Sequence, residues 1–78
     1  MPAATDTARA TADQWLARLE QAQRALKYNR LLVELAETEF EEAVEKNKAG
    51  AGAVTELELR KLQIKVQLAK AKLAELAE

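Results

Sequence analysis

The stretch Lys48-Ala49-Gly50-Ala51-Gly52-Ala53-Val54-Thr55-Glu56-Leu57-Glu58 decides the fold, because it holds both glycines of the chain while the only proline is Pro2. Nothing between Ala3 and Ala49 has to break a helix. Lys46 and Lys48 stand where cations favour a helix C-terminus, and Gly50 is placed to take the left-handed conformation that ends one. Beyond the glycines, Thr55-Glu56-Leu57-Glu58 reads as a capping box, with Val54 and Leu59 set as its hydrophobic staple. The reading is one unit over 1–78: a first helix over about 6–49, a tip loop over 50–54 shaped by Gly50, Gly52, Val54 and Thr55, and a second helix over 55–78. Two capping signals compete at the start of the first helix. Thr5 or Asp6 is one, Thr11-Ala12-Asp13-Gln14 is the other, and fraying is expected as far as Thr11.

Composition agrees with helix almost everywhere. Ala, Leu, Glu, Lys and Arg supply 52 of the 78 residues, above the level that signals long helices or coiled coil. The chain has no Cys, His or Ser, which removes thiol chemistry, imidazole bases, serine nucleophiles and the usual zinc ligands. The sequence is therefore read as non-enzymatic, with no cofactor. A net charge of −1 gives no clustered cation excess for phosphates, so nucleic acid is not an expected partner. The longest apolar run is Leu31-Leu32-Val33, far short of the roughly 20 residues that span a bilayer. Met1 to Asp13 also lacks the basic start and apolar run of a signal peptide.

A 3-4 repeat runs through both helices. The first places Leu19, Leu26, Val33, Phe40 and Asn47 at one core position and Trp15, Ala22, Asn29, Ala36 and Ala43 at the other. The second continues with Leu59, Val66 and Leu73, then Thr55, Leu62, Ala69 and Leu76. Folding the chain back about residue 51 sets Ala43 against Leu59, Phe40 against Leu62, Ala36 against Val66, Val33 against Ala69, Asn29 against Leu73 and Leu26 against Leu76. Large faces small or medium in nearly every layer, which lets the axes approach closely. At the flanks, Lys46 opposes Glu58 and Glu39 opposes Lys65. The fold expected is all-α, an antiparallel two-helix coiled-coil hairpin.

Two features exceed what a lone hairpin covers. The first helix outruns the second, so Trp15, Leu16 and Leu19 lack an intrachain partner. A further apolar row holds Tyr28, Leu31, Leu32 and Leu35 on one helix and Leu57, Ile64, Leu68 and Ala71 on the other. Two helices alone bury little surface against roughly 1–2 kcal/mol of backbone entropy per residue, so assembly into a helical-bundle homo-oligomer, or docking on another helical protein, is expected. The residues assigned to that contact are Trp15, Leu16, Leu19, Leu31, Leu35, Leu57, Ile64 and Leu68.

Other patterns have plainer readings. The acidic run Glu34, Glu37, Glu39, Glu41, Glu42 and Glu45 reads as a solvated face opposite Arg60, Lys61 and Lys65 rather than as a metal site. Asn29 and Asn47 at core positions read as register-setting amides, Asn47 being close enough to the tip to cap local backbone. The basic side chains Lys70 and Lys72, with those just named, are interleaved with acids and lack aromatics for stacking on bases.

From about Ala25 to the end, a helix carrying Glu37-Thr38-Glu39-Phe40-Glu41-Glu42-Ala43, a tip reading Gly52-Ala53-Val54-Thr55-Glu56 and a return helix ending Leu68-Ala69-Lys70-Ala71-Lys72-Leu73-Ala74-Glu75-Leu76 form a recognisable text. It resembles the periplasmic α-helical hairpin of membrane fusion (adaptor) proteins of tripartite efflux pumps and type I secretion systems. The resemblance implies hairpins packed side by side into a tube, a tip that meets an outer-membrane channel, and a periplasmic setting. Pump adaptors commonly carry an Arg and a Leu ahead of the tip; the corresponding positions here are Val44 and Lys48. The alternative reading is a small cytosolic homodimeric four-helix bundle that binds and regulates a protein partner.

Overall fold

The computed structural model describes residues 2–50, 52 and 54–77, with side chains from Asp6 onward. Helix α1 spans Pro2–Ala49 and helix α2 spans Glu56–Ala77. The predicted class is the observed one: two long helices joined by a short tip and packed on each other. At 1.5 Å per residue, α1 is about 72 Å long and α2 about 33 Å, so α1 alone accounts for the longest dimension of 75 Å.

Helix α1 begins earlier than the capping signals predict. Pro2 opens it, a residue whose fixed φ and missing N–H suit the first helical position. Thr5, Asp6 and Thr11 all lie inside the helix, and the Thr11 hydroxyl donates to the Thr7 carbonyl (3.0 Å) instead of capping an amide. Thr38 does the same towards the Glu34 carbonyl at 2.8 Å. A Thr satisfied in this way no longer competes with the helix, which is why the second capping box does not form.

The tip also differs in one respect. The Gly50 amide still donates to the Lys46 carbonyl (3.1 Å), so the helical pattern runs one residue past Ala49, and Gly50 has no positive φ. The left-handed residue is Gly52, at φ +84°. A glycine is needed there because a Cβ disfavours that backbone. Ala51, Ala53 and Glu78, which the sequence placed in the tip and at the end of the second helix, lie outside the described residues. Thr55 does cap α2: its hydroxyl accepts from the Glu58 amide at 3.1 Å, and its carbonyl accepts the first helical bond from Leu59 at 3.0 Å. That is the forward half of the predicted box. Among the described residues Glu58 makes no return bond. Val54 and Leu59, the predicted staple, are both half-buried.

Burial follows the 3-4 repeat. Val33, Ala36 and Ala43 are buried, and Leu26, Asn29, Phe40, Leu59, Leu62, Val66, Ala69, Leu73 and Leu76 are half-buried. Every residue of the six predicted layers is thus withdrawn from water. Ala43 and Ala36 sit under the larger Leu59 and Val66 of their layers, while Val33 is itself the larger member of its layer, opposite Ala69. Asn47 is exposed, since the seam closes at Ala43 and Val44, and it neither sets register nor caps backbone. Asn29 is half-buried and its Nδ2 donates to the Ala25 carbonyl at 2.8 Å, so its amide is satisfied on its own helix.

Candidate interaction surface

What the hairpin leaves uncovered is larger than what it covers. A compact chain of 8.6 kDa exposes about 4,700 Å² by the usual scaling of surface with mass. This chain exposes 6635 Å². The excess, about 1,900 Å², carries large apolar groups: Trp15, Leu16, Leu19, Tyr28, Leu31, Leu32, Leu35, Leu57, Ile64 and Leu68 are all exposed, Trp15 to 67%. Each of the eight residues predicted for association is among them.

These residues fall on three surfaces. Trp15, Leu16 and Leu19 occupy the part of α1 that projects beyond the end of α2. Every described side chain from Asp6 to Arg24 is exposed, and burial begins at Ala25, close to where Leu76 ends the opposing seam. Tyr28, Leu31, Leu32 and Leu35 form a second stripe on α1, rotated about 120° from its buried seam at 100° per residue. Leu57, Ile64, Leu68 and Ala71 lie about 150° round from the seam of α2, on its outer side. The sequence placed these two rows on one common face. The helical angles separate them, because the α1 row turns towards one flank while the α2 row points directly away from its partner.

The opposite flank is polar. There Lys70 and Glu37 pair across the two helices at 3.8 Å, and both are partly solvated. The predicted Lys46–Glu58 and Glu39–Lys65 pairs, which belong to the other flank, are not within ion-pair distance. Exposed pairs contribute only about 0.2–1 kcal/mol, so their absence has little energetic consequence. The remaining pairs, Arg24–Glu20 (3.6 Å), Lys48–Glu45 (3.6 Å) and Lys72–Glu75 (3.7 Å), are local to one helix. Beside Lys70 a shallow groove of about 310 Å³ runs between the helices, lined by Glu37, Phe40, Glu41, Gln63, Val66, Gln67 and Lys70. A wider depression towards the tip is lined by Phe40, Val44, Glu56, Leu59, Arg60 and Gln63. The half-buried Val44 beside Phe40 has a signal in the sequence, since it follows the seam residue Ala43 directly; the groove itself has none.

Among the described residues no three carboxylates converge in a way that could hold a metal ion, and no helix is long and apolar enough to cross a membrane. The tip residues sit together: Gly52 supplies the reversal, Val54 is half-buried and Thr55 starts α2, while Gly50 belongs to the end of α1. No protein-family model, curated protein or solved structure matches the chain.

Proposed function

We propose that this chain is a non-enzymatic structural and protein-interaction module that acts by self-association through the apolar surfaces its hairpin leaves exposed. One observation carries the reading: among the described residues, ten large hydrophobic side chains stand in solvent while only Val33, Ala36 and Ala43 are buried. Soluble monomers rarely leave contiguous apolar patches of more than a few hundred Å² uncovered, and larger patches mark contact sites. The α1 and α2 stripes lie on the outer sides of the hairpin, so one copy can place its α1 stripe beside the α2 stripe of another. An adaptor-like setting rests on the sequence resemblance alone; the short reversal at Gly52, Val54 and Thr55 ahead of a capped return helix is compatible with it and common to α-hairpins in general.

The test is the double variant Leu31→Glu with Leu68→Glu. Each side chain is more than half exposed, so a carboxylate there leaves the intrachain seam intact. Light scattering should return a smaller species than the parent chain, with a lower melting temperature. Unchanged mass and unchanged melting would remove these stripes from the contact.

A further inference from the structure

The projecting part of α1 carries the same seam as the hairpin, with no helix to close it. Ala8, Ala12, Trp15, Leu19 and Ala22 continue the 3-4 spacing of Leu26 and Val33 without a break. From Pro2 to Arg24 this segment is about 35 Å long. The segment continues α1 and needs no nucleus of its own, but its seam-bearing face, with Trp15 67% and Leu19 56% exposed, stands in water without a cover. Deepening the self-association proposed above, on which this step rests, we infer that the cover is the projecting segment of a second copy, running antiparallel about a two-fold axis between Asp13 and Gln14.

Three observations select that occupant. The first is shape. About that axis Trp15 of each copy meets Ala12 of the other, and Leu19 meets Ala8, so large faces small in each layer as in the hairpin. The two Leu16 side chains approach each other across the axis on one flank. The second is length. With this register Pro2 of one copy comes level with Ala25 of the other, where the intrachain seam ends and Ala77 stands, so the projecting segment is covered along its length and the start of one α1 abuts the end of the other copy's α2. The third is charge. Arg9 and the Arg18 of the other copy come level at this register, but they lie on opposite flanks of the shared seam, so their guanidinium groups point apart; Arg18 runs beside Thr11 and Arg9 beside Leu16. The product is a continuous two-stranded rod with a tip at either end.

The chain has no Cys and a single Trp, which makes the test direct. A nitroxide on Lys27→Cys, an exposed position, should give an electron–electron distance of about 40 Å in the dimer, whereas hairpins stacked side by side, or parallel segments, bring the labels within about 25 Å. Trp15 emission should move to longer wavelength as dilution separates the copies. Trp15→Glu with Leu19→Glu, carrying the same label, should lose the distance of about 40 Å and keep its hairpin helicity, because both side chains stand in solvent beyond the end of α2. A distance below about 25 Å in the parent chain, or a distance of about 40 Å that survives this double variant, overturns the end-to-end arrangement. If the Leu31→Glu, Leu68→Glu chain then dissociates, self-association through the stripes stands without it. A parent chain that stays monomeric at millimolar concentration overturns both.

Discussion

Replacing Val33 by Ala tests the packing of the seam most cleanly, because Val33 is 8% exposed and its facing residue, Ala69, is too small to move in and fill the space. Two effects oppose. Removing two buried methyl groups costs about 1.6 kcal/mol at 0.8 kcal/mol each, with a further cavity cost that the open edges of a two-helix seam keep small. Ala is the better helix former by about 0.5 kcal/mol, since Val loses rotamer freedom in a helix. Burial wins, and the net loss is about 1–2 kcal/mol, or roughly 5–15 °C in melting temperature for a chain of this size. Thr38→Ala supplies the control. Thr38 is β-branched like Val33 but exposed, and its hydroxyl only back-bonds to Glu34, so the same change there should raise stability by about 0.5 kcal/mol. The assay is urea unfolding followed by circular dichroism at one fixed chain concentration, since association shifts apparent stability. Two variants that move in the same direction by the same amount would refute the seam as drawn.

Thr55→Ala removes the acceptor of the Glu58 amide and should cost about 1 kcal/mol, while Thr55→Asp should retain most of the stability; urea midpoints for the pair check it. Gly52→Ala forces a Cβ into a backbone at φ +84° and should destabilise by about 1 kcal/mol, although the added atom meets nothing within 4 Å. Gly50→Ala, with no positive φ and equally open space, should be neutral or stabilising by a few tenths of a kcal/mol, so thermal melts of the two variants must move apart. The four ion pairs among the described residues are 3.6–3.8 Å long and solvated, so raising NaCl from 0.05 to 1 M should lower the melting temperature by no more than a few degrees.

The parts of this fold that burial dictates were legible in the sequence. A residue at the 3-4 spacing is either withdrawn from water or left facing it, and the alternation from Leu26 to Ala43 and from Leu59 to Leu76 leaves one solution for an antiparallel pair. Thr55 was legible because a side-chain acceptor three residues before Glu58 has one local use. The overhang of Trp15, Leu16 and Leu19 followed from the unequal lengths on either side of the glycines. Features decided by small energies were not legible. Gly50 and Gly52 have equal local freedom, and only closure of the tip assigns the positive φ to the second. Thr5, Asp6 and Thr11 carry cap chemistry, yet an Ala-rich segment opened by Pro2 stays helical through them once the Thr11 hydroxyl turns back to its own helix. That Glu37 pairs with Lys70 on one flank while Glu39 and Lys65 stay apart on the other turns on energies too small for spacing to decide. The angle between the two outer stripes, by contrast, follows from the same 100° spacing once each stripe is measured from its own seam.

Self-association is the central claim, and molar mass by light scattering across a hundredfold range of concentration, with helicity followed by circular dichroism, tests it most directly. The account predicts a helical species of at least twice the 8.6 kDa of one chain, dissociating on dilution with loss of helicity from the projecting part of α1. A helical, cooperatively melting species of 8.6 kDa throughout that range would contradict it.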